Sequence, residues 1–326
     1  MEAQRWDFGP VISFIREGER FTLLSHISPD GDTLGSALAI MHLLERLGKT
    51  VEAVCANPVP KIYAFMPGSE KVLLPEDAKG YERVISVDCA DTPRFGRAIR
   101  FFAEAGETAA IDHHITNPGF AGVNLIVPDA AATAEIVYEL FLAMGMSVDP
   151  AVASCLYTGI VTDTGNLSYS NTTPNALRII ADFVEKGLVD ISDLNRRIYR
   201  TVPYAKTRVQ GWVTSNIRLE CGGAVGIGIL TRARMLEFGA TNEDCEGIVD
   251  CVRDIDCVKI GVFIREGADG SYKVSLRSKT VGDVGRIAAK HGGGGHARAA
   301  GYTARESLST VIADIIAEAE EELSRC

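Results

Sequence analysis

Long apolar runs and paired cysteines are both absent from this sequence. No window supplies the ~18 uninterrupted apolar residues that a membrane-spanning helix needs, and the start, MEAQRWDFGP, has neither the basic nor the apolar segment of a signal peptide. The eight cysteines include no CxxC pair, so neither a zinc ribbon nor a thioredoxin-type site is indicated. We therefore expect a cytoplasmic protein with reduced thiols and no membrane partner.

Positive charge is also scarce. Lys and Arg together number 33 against 43 Asp and Glu, and the formal net charge is −10. Such a chain repels nucleic acid and other polyanions unless a local feature, such as bound metal ions, reverses the sign. The length of 326 residues corresponds to about two domains, and 46% hydrophobic with 23% charged residues is typical of a globular protein. The placement of the acidic residues is therefore the informative question.

Apolar runs in the N-terminal half end abruptly in polar residues and alternate with helical periodicity. FTLLSH, VISVDCAD and AAIDHH have the composition of strands, and a fourth apolar-rich stretch, SCLYTGIVTDTGN, runs into Asp163. SALAIMHLLERLG, AATAEIVYELFLAMG and PNALRIIADFVEKG have helical periodicity. This alternation predicts an α/β fold with a doubly wound, mostly parallel sheet, whose ligands bind beyond the carboxyl ends of the strands.

The predicted edge of this sheet would gather eight acidic and histidine side chains. Neighbouring carboxylates raise one another's pKa and destabilise a fold unless cations neutralise them. Each aspartate alone could be a helix N-cap, as for Asp32, Asp88 or Asp163, but four clusters at successive strand ends favour a metal site. Oxygen ligands with one or two imidazoles suit Mn²⁺ or Mg²⁺. The side chains are His26, Asp30, Asp32, Asp88, Asp112, His113, His114 and Asp163.

A run of four glycines marks the C-terminal half, which also contains the strand-like runs AVGIGIL and VKIGVFI. Glycine tolerates positive φ and lets backbone amides approach an anion closely. A flexible linker is the plain alternative, but the flanking histidines and the following ARAAG favour an anion site. The run and its neighbours are Gly292, Gly293, Gly294, Gly295, Arg277, His291, His296 and Arg298.

Five motifs, in order, resemble those of a known superfamily. HISPDGDTLGSA, VDCAD, IDHH and TDTGNLSYSNTT resemble the four motifs of the DHH phosphoesterases, and SLRSKTVGDVGRIAAKHGGGGHARAAG resembles the GGGGH signature of the DHH-associated substrate-binding domain. Agreement in order and spacing makes the resemblance specific. It implies a DHH catalytic domain over 1–186, a linker over 187–205 and a smaller α/β substrate-binding domain over 206–326.

The resemblance also implies a role for each site residue. Two divalent ions are implied, with Mn²⁺ expected and Mg²⁺ or Co²⁺ as alternatives, and Asp88 would bridge them. His114 would contact the scissile phosphate or its leaving oxygen, and Asp112 would orient the histidines. The implied metal ligands are His26, Asp30, Asp32, Asp88, His113 and Asp163. The implied contacts to the terminal nucleotide and its phosphate are Arg277, Gly292, Gly293, Gly294, Gly295, His296 and Arg298.

Within the superfamily, the architecture is most similar to the bifunctional nanoRNase and 3′-phosphoadenosine-5′-phosphate phosphatase group. This similarity implies hydrolysis of very short single-stranded RNA and of that adenine nucleotide, by a homodimer. One alternative is a phosphodiesterase for pApA or cyclic di-AMP, and another is a nucleotide-binding regulatory protein. The fourth motif departs from the group, because Leu167 and Ser168 replace an aromatic residue and an arginine. Tyr169 is then either a substitute stacking platform or a core residue.

Overall fold

A computed structural model describes residues 6–325. Residues 1–5 and Cys326 lie outside the described residues. The first of these segments is half of the N-terminal stretch MEAQRWDFGP, which we predicted not to be a signal peptide. The chain divides into two compact units, the first ending at Thr201 and the second beginning at Val202. None of the helices in the described range has both the length and the apolar character required to cross a bilayer. All seven cysteines in that range are free thiols.

The first unit is built on a five-stranded parallel sheet. Its strands are β1 Arg20–Leu24, β2 Thr50–Val54, β3 Arg83–Val87, β4 Glu107–Asp112 and β5 Val123–Ile126. They lie in the order β2, β1, β3, β4, β5, and every neighbouring pair is parallel. The order reverses between β1 and β3, which is the switch point where doubly wound sheets bind ligands. The predicted α/β fold with a doubly wound, mostly parallel sheet is confirmed.

Helices precede the first strand, connect β1 to β2 and β3 to β4, and follow β5. Their bounds are α1 Gly9–Glu17, α2 Gly31–Arg46, α3 Ile99–Ala103, α4 Thr133–Ala143, α5 Pro150–Asp163, α6 Pro174–Glu185 and α7 Ile191–Asn195. The three predicted helical stretches correspond to α2, α4 and α6. Close packing of α2 on α5 depends on Gly35, where an added Cβ would collide with the backbone oxygen of Cys155.

The fourth apolar stretch forms a helix and not the end of a strand. SCLYTGIVTDTGN begins inside α5, so Asp163 closes a helix. Asp149 caps this helix through its contact with the amide of Val152, and Pro150 occupies the first turn, as is common at helix starts. The helix is buried over most of its surface, so its apolar residues do not alternate with polar ones and give no amphipathic period.

The end of the first unit includes most of the segment that we predicted as a linker. Leu194 of α7 and Ile198, in the π-helical turn Arg196–Arg200, are buried in the main hydrophobic core of this unit. Residues up to Thr201 therefore belong to the first unit in the structure.

The second unit contains a six-stranded mixed sheet. Its strands are β6 Arg218–Glu220, β7 Val225–Leu230, β8 Ile260–Glu266, β9 Tyr272–Ser278, β10 Gly294–His296 and β11 Ala299–Ala304. Its helices are α8 Tyr204–Ser215, α9 Arg232–Glu237, α10 Ile248–Arg253, α11 Val284–Lys290 and α12 Leu308–Ser324. The strand order is β10, β11, β9, β8, β7, β6, and β7 with β8 is the parallel pair. This arrangement confirms the predicted second α/β domain.

Two hydrophobic clusters cover different parts of this second sheet. Residues of α11 and α12, such as Ile287 and Ile315, pack with Val274 and Leu276 on one face. Residues of α8 and α10, such as Val213 and Val252, pack with Phe263 on the other. The part of this other face formed by β9, β11 and β10 carries exposed or half-buried residues.

Candidate active site

The candidate active site lies at the carboxyl ends of three neighbouring strands. β1, β3 and β4 are adjacent in the first sheet, and the N-terminus of α2 and the C-terminus of α5 add carboxylates to the same place. All six predicted metal ligands fall in groups that could hold an ion, and their roles as ligands stay predictions. Among the described residues, the groups with ligand atoms within 4.8 Å of one another are Asp88, His113 and His114; His26, Asp30 and Asp88; and Asp32, His113 and Asp163.

Asp88 lies at the centre of this cluster. Its Oδ2 is 3.7 Å from Nε2 of His26, and its Oδ1 is 3.7 Å from Nε2 of His113 and from Nδ1 of His114. These distances are too long for hydrogen bonds but suit ligands that each lie ~2.0–2.2 Å from a shared divalent ion. Asp88 also has a φ of +55°, which is uncommon for a residue other than glycine and typical of functional sites.

Burial and neighbouring negative charge raise the pKa of three carboxyl groups in the cluster. Burial, followed by the charges of Asp32 and Asp30, raises the pKa of Asp88 well above its usual value. Burial and the charge of Asp32 raise the pKa of Asp163 to about 7, and burial also raises the pKa of Asp32. A divalent cation would relieve this repulsion, so the electrostatics fit a metal centre.

Two histidines present one ring nitrogen to the acids and use the other as an anchor. Nδ1 of His26 lies 2.8 Å from the carbonyl oxygen of Ile27, and Nδ1 of His113 lies 3.3 Å from that of Ala130. A proton on Nδ1 then donates to the carbonyl and leaves Nε2 as an acceptor. This is the usual state of a metal-bound histidine, and Nε2 of His113 lies 3.6 Å from Asp163.

His114 is anchored differently from its neighbour. Its Nδ1 lies 2.6 Å from Oδ1 of Asp112, whose Oδ2 accepts a 2.7 Å hydrogen bond from Nδ2 of Asn117. Burial is the largest single influence on Asp112 and acts to raise its pKa, but the hydrogen bonds and charge of His114, with the hydrogen bond from Asn117, together lower the pKa. Asp112 therefore orients His114, whereas the carbonyl of Ala130 orients His113.

The helix N-cap role that was an alternative for Asp32, Asp88 or Asp163 is filled by Asp30. Asp30 caps α2 by accepting hydrogen bonds from the amides of Asp32 and Thr33. Its Oδ2 also lies 3.6 Å from Nε2 of His26. Burial is the largest single influence and acts to raise the pKa of Asp30, but the hydrogen bond and charge of His26, with the amides of Thr33 and Asp32, together lower the pKa. One carboxylate thus fixes the helix and faces the cluster.

The start of α4 contributes donors that sequence reasoning missed. The amides of Thr133 and Ala134 donate to the two oxygens of Asp32, at 2.7 Å and 2.9 Å, and the Thr133 hydroxyl donates to Asp88 at 2.8 Å. A helix N-terminus carries partial positive charge, which stabilises such carboxylates. The start of the helical stretch AATAEIVYELFLAMG was the available signal.

Glu135 was also missed, and it is fully buried behind the cluster. Its Oε2 accepts hydrogen bonds from the amide of Ala131 and the hydroxyl of Thr173, both at 2.8 Å. Asn171 then donates to the carbonyl of Ala131 at 3.0 Å and to the Asp163 carboxylate at 3.3 Å. Glu135 therefore ties the segment that orients His113 to the segment that carries Asp163.

The departure in the fourth motif coincides with unusual backbone geometry. Gly165, Asn166 and Leu167 have φ values of +55°, +55° and +65° in succession. Leu167 packs against the core, whereas Tyr169 is 60% exposed, so Tyr169 is not a core residue. The Tyr169 ring covers Gly165 so closely that no side chain could be added there. An exposed ring beside the acidic cluster suits base stacking.

In the second unit, the predicted anion site forms part of the sheet. His296 of β10 pairs with Ala299 of β11, and Ala299 pairs with Arg277 of β9, which puts all three on one face. An added Cβ at Gly293 would collide with the backbone oxygen of Gly301, so the glycine run lies directly on β11.

The remaining predicted substrate residues have different environments. Gly292 and Gly295 have positive φ, at +69° and +140°. Gly294 belongs to β10 and is exposed. Arg298 donates from Nη1 to the carbonyl of Gly282 at 3.1 Å, so its guanidinium braces a turn within the unit.

Comparison with known proteins identifies both units. Residues 20–160 match the DHH family, N-terminal domain, and residues 227–325 match the DHHA1 domain. A Thermus thermophilus protein named bifunctional oligoribonuclease and PAP phosphatase NrnA is 33% identical, over 93% of this chain and 90% of its own. This chain belongs to the DHH family. The predicted membership is confirmed, in the predicted order of the two domains.

Two further relatives of this DHH-family chain have similar length. A Streptococcus mutans protein named probable bifunctional oligoribonuclease and PAP phosphatase NrnA is 29% identical, over 90% of this chain and 92% of its own. The crystal structure of an exopolyphosphatase-related protein from Bacteroides fragilis superimposes with a TM-score of 0.89 at 28% identity. That match covers 95% of this chain and 94% of the other.

Proposed function

We propose that this DHH-family chain is a metal-dependent phosphoesterase. Its substrates are very short oligoribonucleotides, which it hydrolyses to mononucleotides, and 3′-phosphoadenosine 5′-phosphate, from which it removes the 3′-phosphate. The observation that carries the proposal is the position of buried Asp88, one of whose oxygens faces His26 while the other faces His113. The two substrate classes come from the names of the relatives in Thermus thermophilus and Streptococcus mutans.

The proposed metal ligands divide into two sets that share Asp88. His26 and Asp30 would hold one ion, and Asp32, His113 and Asp163 would hold the other. Two divalent ions held there, Mn²⁺ in our proposal, would neutralise charge on the phosphate and would lower the pKa of the attacking water. Mg²⁺ and Co²⁺ are the alternatives to be compared. The carbonyl anchors of the two histidines and the α4 amides keep the ligand atoms in place before any ion binds.

His114 has the proposed role at the leaving group. The hydrogen bond between its Nδ1 and Asp112 fixes the ring and favours a proton on that nitrogen. Nε2 can then carry a second proton and donate it to the oxygen that leaves phosphorus, while the Asp112 carboxylate stabilises the imidazolium. Asn117 keeps Asp112 in position from the other side.

The second unit has the proposed role of holding the terminal nucleotide. Arg277 and His296 lie on one sheet face, and a guanidinium can donate two parallel hydrogen bonds to a phosphate. The glycine run beside them leaves the backbone uncovered for close approach. By resemblance to the family, we also propose a homodimer and a cytoplasmic location. Gel filtration with light scattering tests the dimer, and cell fractionation tests the location.

The test is a turnover assay on a panel of labelled substrates, with Mn²⁺, Mg²⁺ and Co²⁺ compared. The panel contains RNA dinucleotides to pentanucleotides, 3′-phosphoadenosine 5′-phosphate, pApA, cyclic di-AMP and pyrophosphate, and Asp88→Asn is the inactive control. We expect mononucleotides from the shortest RNAs and phosphate from the adenosine bisphosphate. A preference for pApA or cyclic di-AMP would replace the proposed substrates. Tight nucleotide binding without turnover would indicate a regulatory protein instead.

A further inference from the structure

The face of the second sheet that carries Arg277 continues along β9 as a strip of small residues. Ser275 pairs with Gly301 of β11, and Gly301 pairs with Gly294 of β10. All three are exposed or half-buried. Side chains this small leave room for a ligand to lie on the strands. The strip therefore extends the proposed terminal-nucleotide site in one direction along the sheet.

Two cations close the far end of this strip. Lys273 lies on the same face of β9 as Arg277, four residues earlier, which is ~13–14 Å along a strand. In the register of the sheet, Lys273 pairs with Arg265 of β8 on one side and with Thr303 of β11 on the other. Like charges directly opposite each other destabilise a sheet. In a chain of net charge −10, such a pair is a candidate anion site.

Glu246 lies beside the pair. Its Oε1 is 3.7 Å from Nζ of Lys273 in a long ion pair, and because the Glu246 side chain is 71% exposed, water screens this ion pair and the two cations keep net positive charge. Nη1 of Arg265 donates to the neutral amide oxygen of Asn242. Both cations line one small cavity on this face, together with Ser275, Arg277 and the single acid Glu246.

We propose that Lys273 and Arg265 form a second phosphate subsite for short RNA. The subsite takes the phosphate of a nucleotide beyond the one held at Arg277 and His296, and the small residues between accommodate the intervening sugar and base. Contacts to phosphate do not depend on base sequence. The subsite therefore favours longer members of the substrate class over dinucleotides. This inference rests on the proposed function, because it assigns part of the same substrate.

The test compares substrates of two lengths in a variant that carries Lys273→Gln and Arg265→Gln. The ratio of kcat/KM for a pentanucleotide to that for a dinucleotide should fall about tenfold relative to the unmodified protein, because a charged contact to the longer substrate is lost. Between about 50 and 200 mM salt, the slope of log kcat/KM against log salt for the pentanucleotide should become shallower by about 1–2.

The matched control carries Arg218→Gln and Lys290→Gln, which remove the same charge. Arg218 pairs with Ile227, which is buried on the α11 side of the sheet, and Lys290 belongs to α11 itself. This control should change neither the ratio nor the slope. The proposal would be overturned if the variant with Lys273→Gln and Arg265→Gln had the same kcat/KM ratio as the control. It would also be overturned by an equal loss of kcat/KM on both substrates.

A binding measurement separates this inference from the proposed function. Fluorescence anisotropy measures the binding of a labelled pentanucleotide to Asp88→Asn protein, with and without Lys273→Gln and Arg265→Gln. If the unmodified protein hydrolyses no RNA, the proposed function fails. A pentanucleotide affinity that is still weakened by the Lys273 and Arg265 substitutions would then support the subsite. An affinity that these substitutions leave unchanged would reject it.

Discussion

The two candidate sites of this chain have opposite electrostatic designs. In the first unit, Asp32 and Asp88 are buried, and their charges repel one another until a cation arrives. In the second unit, Arg277 and Lys273 lie on an open sheet face among small residues. Reaction chemistry requires a few atoms held precisely away from water. Binding a nucleotide requires only solvent-accessible positive charge and backbone amides that no side chain covers.

The two sites also differ in what fixes them. The carboxylates of the first are held by backbone amides of α4 and by buried hydrogen bonds between distant segments. The second depends on the register of three strands and on glycines that let β10 lie against β11. Substitutions in the first unit should therefore affect kcat, and those in the second should affect KM or the stability of the sheet.

The largest expected effect distinguishes the two sites kinetically. Asp88→Asn removes a charge that both proposed ions share, so kcat should fall by roughly 10³-fold or more. His296→Gln removes a contact to bound substrate only, so KM should rise about tenfold while kcat changes by less than about threefold. Steady-state kinetics on an RNA dinucleotide measures both. A kcat loss for His296→Gln as large as that for Asp88→Asn would contradict the assignment.

The next effect concerns the glycine run. Gly293→Ala should destabilise the second unit by about 2–4 kcal/mol, because the new Cβ meets the backbone of Gly301 and Tyr302, which cannot yield. Gly292→Ala should cost about 1 kcal/mol for its positive φ. Gly294→Ala meets no atom within 4 Å and should be nearly neutral. Urea unfolding of the three variants gives this ranking, and equal losses would refute it.

A smaller effect is expected behind the acidic cluster. Glu135 accepts hydrogen bonds at both carboxylate oxygens, so Glu135→Gln turns an amide NH₂ toward a donor. Affinity for Mn²⁺ should weaken by about 10–100-fold, as is usual when a residue supporting a metal ligand is lost. Glu139→Gln is the matched control, because Glu139 contacts the same Asn175 but not Ala131. Titration calorimetry with Mn²⁺ measures both variants, and equal affinities would exclude the role of Glu135.

The smallest effect depends on pH. The pKa of Asp163 is about 7 in the folded protein against an ordinary value of 3.8, so the folded metal-free chain holds an extra proton between these values. Binding of this proton stabilises the folded state, and this stabilisation is therefore lost as the pH rises between these two pKa values. In chelator, Asp163→Asn should gain about 1–2 kcal/mol over the unmodified protein on going from pH 4 to pH 8. Thermal unfolding at both pH values checks this, with exposed Asp77→Asn expected to show no such gain.

Much of the first unit follows from local sequence patterns. Apolar runs that end in polar residues located β1, β3 and β4, and helical periodicity located α2, α4 and α6. β2 and β5 gave weaker signals, because both strands are partly exposed and contain few consecutive buried residues. Helix α5 was misassigned because it is buried over most of its surface, and a buried helix shows no polar face.

The supporting residues of the site could not be predicted in this way. Glu135 and Thr173 are 38 residues apart in the chain, and Thr133 and Asp88 are 45 apart, so each pair meets only after the helices pack. The role of each depends on a hydrogen bond between distant segments, which no local pattern records. The register that pairs Lys273 with Arg265 is likewise set by the whole sheet.

The amides that donate to Asp32 and Glu135 have a kinetic consequence. Thr133, Ala134 and Ala131 keep these hydrogen bonds whether or not an ion is present, since every partner belongs to the protein. Their hydrogen exchange should therefore be slow and should follow global unfolding, even in chelator. Cations can then bind and dissociate without local unfolding of the segments that hold the ligands, and one polypeptide can bind metal ions many times.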